Sequence, residues 1–101
     1  FREAGFLSVQ GLGADNRRGA LYVLSAGGPE MQDYSAGVED QSYLHRLQLS
    51  SGRQVTRTAP PVAAGGHQLN DLVQAPDGTL YLTDTRAGLV YRWRPTTKGL
   101  E

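Results

Sequence analysis

The chain contains no cysteine, which excludes disulfide staples and thiolate zinc sites and leaves the redox compartment undecided. It has no net charge, with 10 basic residues against 10 acidic ones, and its arginines are scattered. Phosphate recognition needs a concentrated basic face, so nucleic acid is not an expected partner. The Arg17-Arg18 pair reads as a solvated turn. Long apolar runs are also missing. The longest are a few residues, as in Leu21-Tyr22-Val23-Leu24, too short to span a bilayer as a helix, and a membrane is not expected either. No long apolar pattern of period 3.6 runs through the chain, which predicts almost no helix. There is no signal-peptide or lipidation motif and no initiating methionine. A chain opening on Phe1 reads as a mature or truncated product, and its compartment stays open. The closing Leu100-Glu101 is expected to carry no structural weight.

Glycine is abundant, at 13 of 101 residues, nearly twice the roughly 7% usual for proteins, which suits a chain of turns and short strands. With 39% apolar residues the length supports one small globular domain with a modest core. The most informative stretch runs from Gly66 to Trp93, three short β-runs joined by tight turns with Asn70-Asp71 at the start of the first. A looser copy runs from Val9 to Leu49. Gly11-Leu12 matches Asp71-Leu72. The turn Asp15-Asn16-Arg17-Arg18-Gly19 matches Pro76-Asp77-Gly78, both having Gly for positive φ and Asx residues to close the turn. Leu21-Tyr22-Val23-Leu24 matches Leu80-Tyr81-Leu82-Thr83. Tyr43 to Gln48 matches Leu89 to Arg94, each with an Arg that period-2 alternation places outward. A fourth strand is predicted near Gln54 to Thr58, after the turn Ser50-Ser51-Gly52.

Two β-meanders in tandem predict an all-β chain carrying about two four-stranded antiparallel blades of a β-propeller. Blade one covers about 7–58 and a partial blade two about 67–99. Two blades cannot close a ring, and an open wedge exposes its sheet edges. The chain is therefore expected either to belong with the remaining blades of a longer protein or to assemble with copies of itself, three copies making six blades. A small stand-alone sandwich is the third reading.

In an up-and-down blade, alternate connections emerge at one end of the sheet. Asn70 and Asp71 at the start of one strand and Asp84 at the end of the next should share a rim, with His67 in reach as a base or ligand. The segment 27–41, with Glu30, Asp33, Glu39 and Asp40, would overhang the same face as an expanded loop. Converging carboxylate and amide oxygens suit a hard cation such as calcium, which takes six to eight of them. The plain alternative is that Asn70 and Asp71 close a turn, as Asx residues do, and that His67 ends a loop with a backbone hydrogen bond. The acidic segment lacks EF-hand spacing. A Ser-His-Asp triad is available by inventory but has no nucleophile-elbow sequence behind it. His45 occupies the position of Tyr91 in the other copy and reads as inter-sheet packing. Tyr22, Tyr81 and Trp93 read as core or between-blade packing.

The run Asn70-Asp71-Leu72-Val73, then Pro76-Asp77-Gly78-Thr79-Leu80-Tyr81 and Thr83-Asp84, resembles the gluconolactonase/senescence-marker-protein family of six-bladed propellers, whose wider group includes the paraoxonases. Val9 to Leu12 followed by Leu21 to Gly27 also resembles the yellow/royal-jelly branch of that architecture. The match is specific only between Asn70 and Asp84. The first resemblance implies a calcium-dependent hydrolase of lactones or related esters. Asn70 would then meet the catalytic divalent metal or the substrate beside it, and Asp71 would support it. The family's other metal ligands come from other blades and are not matched here, and Glu3 lacks the Glu-Gly-Pro setting. By this resemblance the isolated chain is inactive. The second resemblance implies a non-catalytic propeller that binds a small ligand or a protein through rim loops.

Overall fold

The computed structural model describes residues 8–27, 41–61, 66–96 and 99–100. Among them are seven strands and no helix: β1 (Ser8–Asp15), β2 (Ala20–Ala26), β3 (Ser42–Gln48), β4 (Gln54–Thr58), β5 (Leu69–Gln74), β6 (Leu80–Asp84) and β7 (Leu89–Trp93). They form two antiparallel meanders, β1-β2-β3-β4 and β5-β6-β7. The two sheets face each other and do not close on themselves. The expected fourth strand is β4. Leu100 departs from expectation: it bridges to Trp93 and packs against the core.

The two sheets share one register. Cross-strand rows in the first read Gly11–Leu24–Leu44, Leu12–Val23–His45 and Gly13–Tyr22–Arg46. In the second they read Asp71–Thr83–Val90, Leu72–Leu82–Tyr91 and Val73–Tyr81–Arg92. Each first strand also carries a bulge at the same place, between Val9 and Gly11 and between Leu69 and Asp71. Alternation then divides each sheet into two faces. We call "front" the face bearing Tyr22, Leu24 and Leu44 in the first sheet and Tyr81, Thr83 and Val90 in the second. The "back" face bears Val23, His45 and Leu47 in the first, and Leu82, Tyr91 and Trp93 in the second.

The core lies where the front of the first sheet meets the back of the second. Ala20, Tyr22, Leu24 and Leu44 are buried there against Leu69, Leu80, Leu82, Tyr91 and Trp93. The Tyr22 and Trp93 rings meet edge to face at 5.4 Å. Each fully buried side chain of this size contributes roughly 1.5–3 kcal/mol. The strand β5 sits across β1 and β2, and glycine permits the approach. A Cβ on Gly13 would stand 2.7 Å from Leu72 Cδ1, and one on Gly11 would stand 3.1 Å from the Asn70 carbonyl oxygen. Two polar ties fix the stack at its ends. Ser42 Oγ donates to the Ser25 carbonyl (2.7 Å) and accepts from the Leu69 N–H (2.9 Å). At the other end Gln74 donates to Asp15 (2.7 Å), and Arg18 donates to Asp15 (3.1 Å) and to the Asp77 carbonyl (2.9 Å).

Three packing expectations need correction. Tyr81 is exposed on the front of the second sheet, because that face meets nothing among the described residues, whereas Tyr22 and Trp93 are buried. Arg46 and Arg92 are half-buried rather than exposed, Arg46 on the front that meets the second sheet and Arg92 beside Tyr81 on the second sheet's front. His45 is fully buried, but on the back of the first sheet, away from the second.

Candidate functional site

The turns β1–β2 and β5–β6 lie at one end of the stack. The starts of β5, the end of β6 and the β6–β7 turn lie at the other, as the Leu69–Asp84 pairing requires. The sequence-predicted residues Asn70, Asp71, Asp84 and His67 are therefore all near one end, and the structure divides them into two groups.

His67 and Asp84 come together inside the protein. Asp84 ends β6 on the buried back face and has four donors. Its Oδ1 accepts from the backbone N–H of Gln68 and of Ala87, both at 3.0 Å. Its Oδ2 accepts from His67 Nδ1 at 2.5 Å and from the Tyr91 hydroxyl at 3.4 Å. The other His67 nitrogen, Nε2, lies 2.5 Å from the Pro61 carbonyl oxygen. Asp84 and Pro61 both present acceptors to the imidazole, and the Tyr91 hydroxyl stands 3.3 Å from Nδ1. Burial pushes the Asp84 carboxyl up, but the two backbone N–H groups and His67 outweigh it and hold it below its ordinary value. Burial, then the neighbouring Asp84 charge, raises the Tyr91 hydroxyl. This group is saturated: each Asp84 oxygen already has two donors, and none of its lone pairs is left for a ligand. It joins the segment before β5 to the β6–β7 turn.

Asn70 and Asp71 remain at the surface. Asn70 is the extra residue of the β5 bulge and is exposed. Asp71 is exposed, and its Oδ1 accepts from the Leu72 N–H (2.9 Å) in a local Asx contact. Among the described residues no three His, Cys, Asp or Glu side chains converge as metal ligands would. Asn70 supplies one neutral oxygen where calcium takes six to eight. The described residues do not make a calcium site by themselves. Glu3, Glu30, Asp33, Glu39 and Asp40 lie outside the described residues.

The sequence reading had no place for a second polar group. Ser25 Oγ lies 2.7 Å from His45 Nε2, and Gln54 Oε1 lies 2.7 Å from His45 Nδ1. The amide oxygen accepts, so Nδ1 carries the proton and Nε2 accepts from Ser25. Burial lowers the His45 imidazole from its ordinary value, and the Arg57 charge adds to that against the opposing Gln54 bond. The serine and histidine stand as in an acyl-transfer pair, with an amide in place of the aspartate. Both have no solvent exposure, so a substrate carbonyl has no access to Ser25, and the group is a polar strap across β2, β3 and β4. The signal for it was the repeat itself, since Ser25 and His45 align with Asp84 and Tyr91. Arg18 was also read as solvated, yet it joins the two sheets through Asp15 and Asp77.

Comparison with known proteins adds no assignment: no family model, no curated protein and no solved structure matches the chain.

Proposed function

We propose that the chain is a two-blade segment of a β-propeller of the gluconolactonase-like kind, which contributes Asn70 to an axial site and is inactive alone. The observation that carries this reading is the head-to-tail stacking. The front of one meander meets the back of the next, in the same register and with a bulge at the same point of each first strand. The strands β1 and β5 lie together in that stack, as the innermost strands of adjacent blades do. The bulge turns Asn70 outward on one of them, a usual place for bulges to re-aim a side chain. Hydrolysis of a lactone or related ester would belong to the assembled ring, with the remaining oxygen ligands coming from elsewhere.

The non-catalytic reading, a propeller that binds a small ligand or a protein through its rim, is favoured by one specific fact. Two of the four predicted site residues, His67 and Asp84, are spent on each other and on backbone groups. A calcium titration of the wild-type chain and Asn70→Ala, followed by calorimetry, tests the first reading. A single neutral oxygen predicts binding weaker than about 1 mM for the chain alone. Tight binding that survives Asn70→Ala, or turnover of an aryl ester or lactone by that variant, would refute the role given to Asn70.

A further inference from the structure

The stacking between the two sheets is heterologous, front to back, so among the described residues it leaves one front unmatched and the other sheet's back open in part. The unmatched front belongs to the second sheet. Val73, Tyr81 and Val90 stand on it with 64%, 42% and 65% of their surface exposed. With Asp71, Leu72 and Thr83 they line a shallow depression of about 180 Å³. Of the first sheet's back the β1 edge is open, and there Val9 and Leu12 are exposed by 54% and 65%. These two are not arbitrary surface residues. By the shared register Val9 and Leu12 correspond to Leu69 and Leu72, the β5 side chains that enter the internal interface. The residues that receive β5 there, on β1 and β2, correspond to Asp71, Val73 and Tyr81. Isolated exposed apolar side chains need no explanation, but contiguous ones at both ends of a repeating interface do.

We propose that the front of the second sheet is a docking surface for a second copy of this chain, seated through Val9 and Leu12 of its β1. The contact repeats the β5 part of the one already present inside the chain. The proposal rests on this stacking and not on any catalytic activity. Val73 replaces the Gly13 that admits Leu72 internally, so Leu12 enters the depression beside Val73 rather than a glycine notch. The other back-face residues of the first sheet, Val23, Ser25, His45 and Leu47, are already buried. Docking therefore runs through β1 alone, whereas the internal contact adds Leu80, Leu82, Tyr91 and Trp93 of β6 and β7 to the side chains of β5. A heterologous contact does not stop at two, and it builds either a ring or an open chain.

The test uses two exposed positions, so the variants fold. Wild-type chain is measured by light scattering and sedimentation from about 10 μM to about 1 mM, the range of small interfaces. Species larger than a dimer are expected. Val73→Glu spoils only the front and Leu12→Glu only the back, and each alone is expected to be monomeric, its association weakened about 100-fold or more by an unpaired charge in the contact. An equimolar mixture of the two variants retains one intact front and one intact back, and it is expected to give a 1:1 dimer that grows no further. Three results would overturn the proposal: a wild-type chain that stays monomeric throughout, a wild-type dimer indifferent to Leu12→Glu, or a mixture that remains monomeric.

Discussion

Replacing Asp84 by alanine removes the acceptor for four donors at once: two backbone N–H groups, His67 and Tyr91. Asp84 is 2% exposed, so water replaces none of them without entry into the stack. Breaking a buried pair by deleting one partner costs about 3–5 kcal/mol, against a total of about 5–15 kcal/mol for a domain. At about 4–8 °C per kcal/mol for a chain of this size, the melting temperature should fall by at least about 12 °C. Asp84→Asn separates the parts of that loss. Its Oδ1 still accepts from Gln68 and Ala87, while its amide confronts His67 Nδ1, and the cost should be about 1–2 kcal/mol. The assay is urea unfolding of Asp84→Ala, Asp84→Asn, His67→Ala and the double variant Asp84→Ala/His67→Ala. The pair should couple by about 1–3 kcal/mol. Acid adds a sign. The folded-state carboxyl lies below its ordinary value of 3.8, so the unfolded chain takes up that proton first. Stability is full above that value and is lost as pH falls through the folded one. Asp84→Asn should lack this part of the slope. A loss under about 1 kcal/mol in Asp84→Ala, or single effects that simply add, would refute the buried-clasp reasoning.

Burial lowers His45 from 6.5, so the unfolded imidazole protonates first, and stability should decline as pH falls below that value toward the folded one. His45→Gln should flatten the decline in pH-dependent unfolding, and an unchanged slope would contradict the assignment. Gly78 has φ +93, and an added Cβ would meet Arg18 Cζ at 2.7 Å, whereas Gly19 has φ +64 and open space. Gly78→Ala should therefore cost more than Gly19→Ala, by about 1 kcal/mol, because it also dislodges Arg18 from Asp15; equal losses in thermal melts would count against the Arg18 tie. Leu72→Ala empties the contact over Gly13 and should cost about 2–4 kcal/mol by chemical denaturation. A loss below about 1 kcal/mol would mean that β5 is not held by that side chain.

Much of the architecture was legible in the sequence because its signals are local. Short alternating runs such as Leu80 to Asp84, bounded by Pro76-Asp77-Gly78 and by the turn before Leu89, specify strand and turn with no tertiary information. Which face is buried was not legible. Alternation gives two faces and no label, so Tyr22, Tyr81 and Trp93 read alike as core or between-blade packing, and the structure buries Tyr22 and Trp93 while leaving Tyr81 exposed. The bulge at Asn70 compounds this, since one extra residue breaks the period-2 count between His67 and Leu72. Counting along the strand therefore cannot reveal that Asp84 turns inward to His67 while Asn70 and Asp71 stay at the surface. Arg18 and Leu100 were missed for a different reason, because their partners Asp77 and Trp93 become neighbours only when the two meanders stack or the chain end folds back.

The two polar groups provide the deeper link between sequence and fold. Ser25 and Asp84 occupy one position of the repeat, the end of a second strand, and His45 and Tyr91 occupy another on the third strand beside it. In each sheet the pair is hydrogen-bonded across the back face, at 2.7 Å in the first and 3.4 Å in the second. Each pair then recruits a third side chain from a different direction: Gln54 from β4 in the first, His67 from the segment before β5 in the second. The second sheet has no described fourth strand to supply a Gln54, and its strap closes instead onto the chain that leads into its own first strand. The chemistry differs while the place is kept, as expected where a meander must satisfy polar atoms at the same buried point each time it repeats. Such positions serve the stack first, which spends Asp84 and His67 inside the protein and leaves Asn70 and Asp71 at its surface.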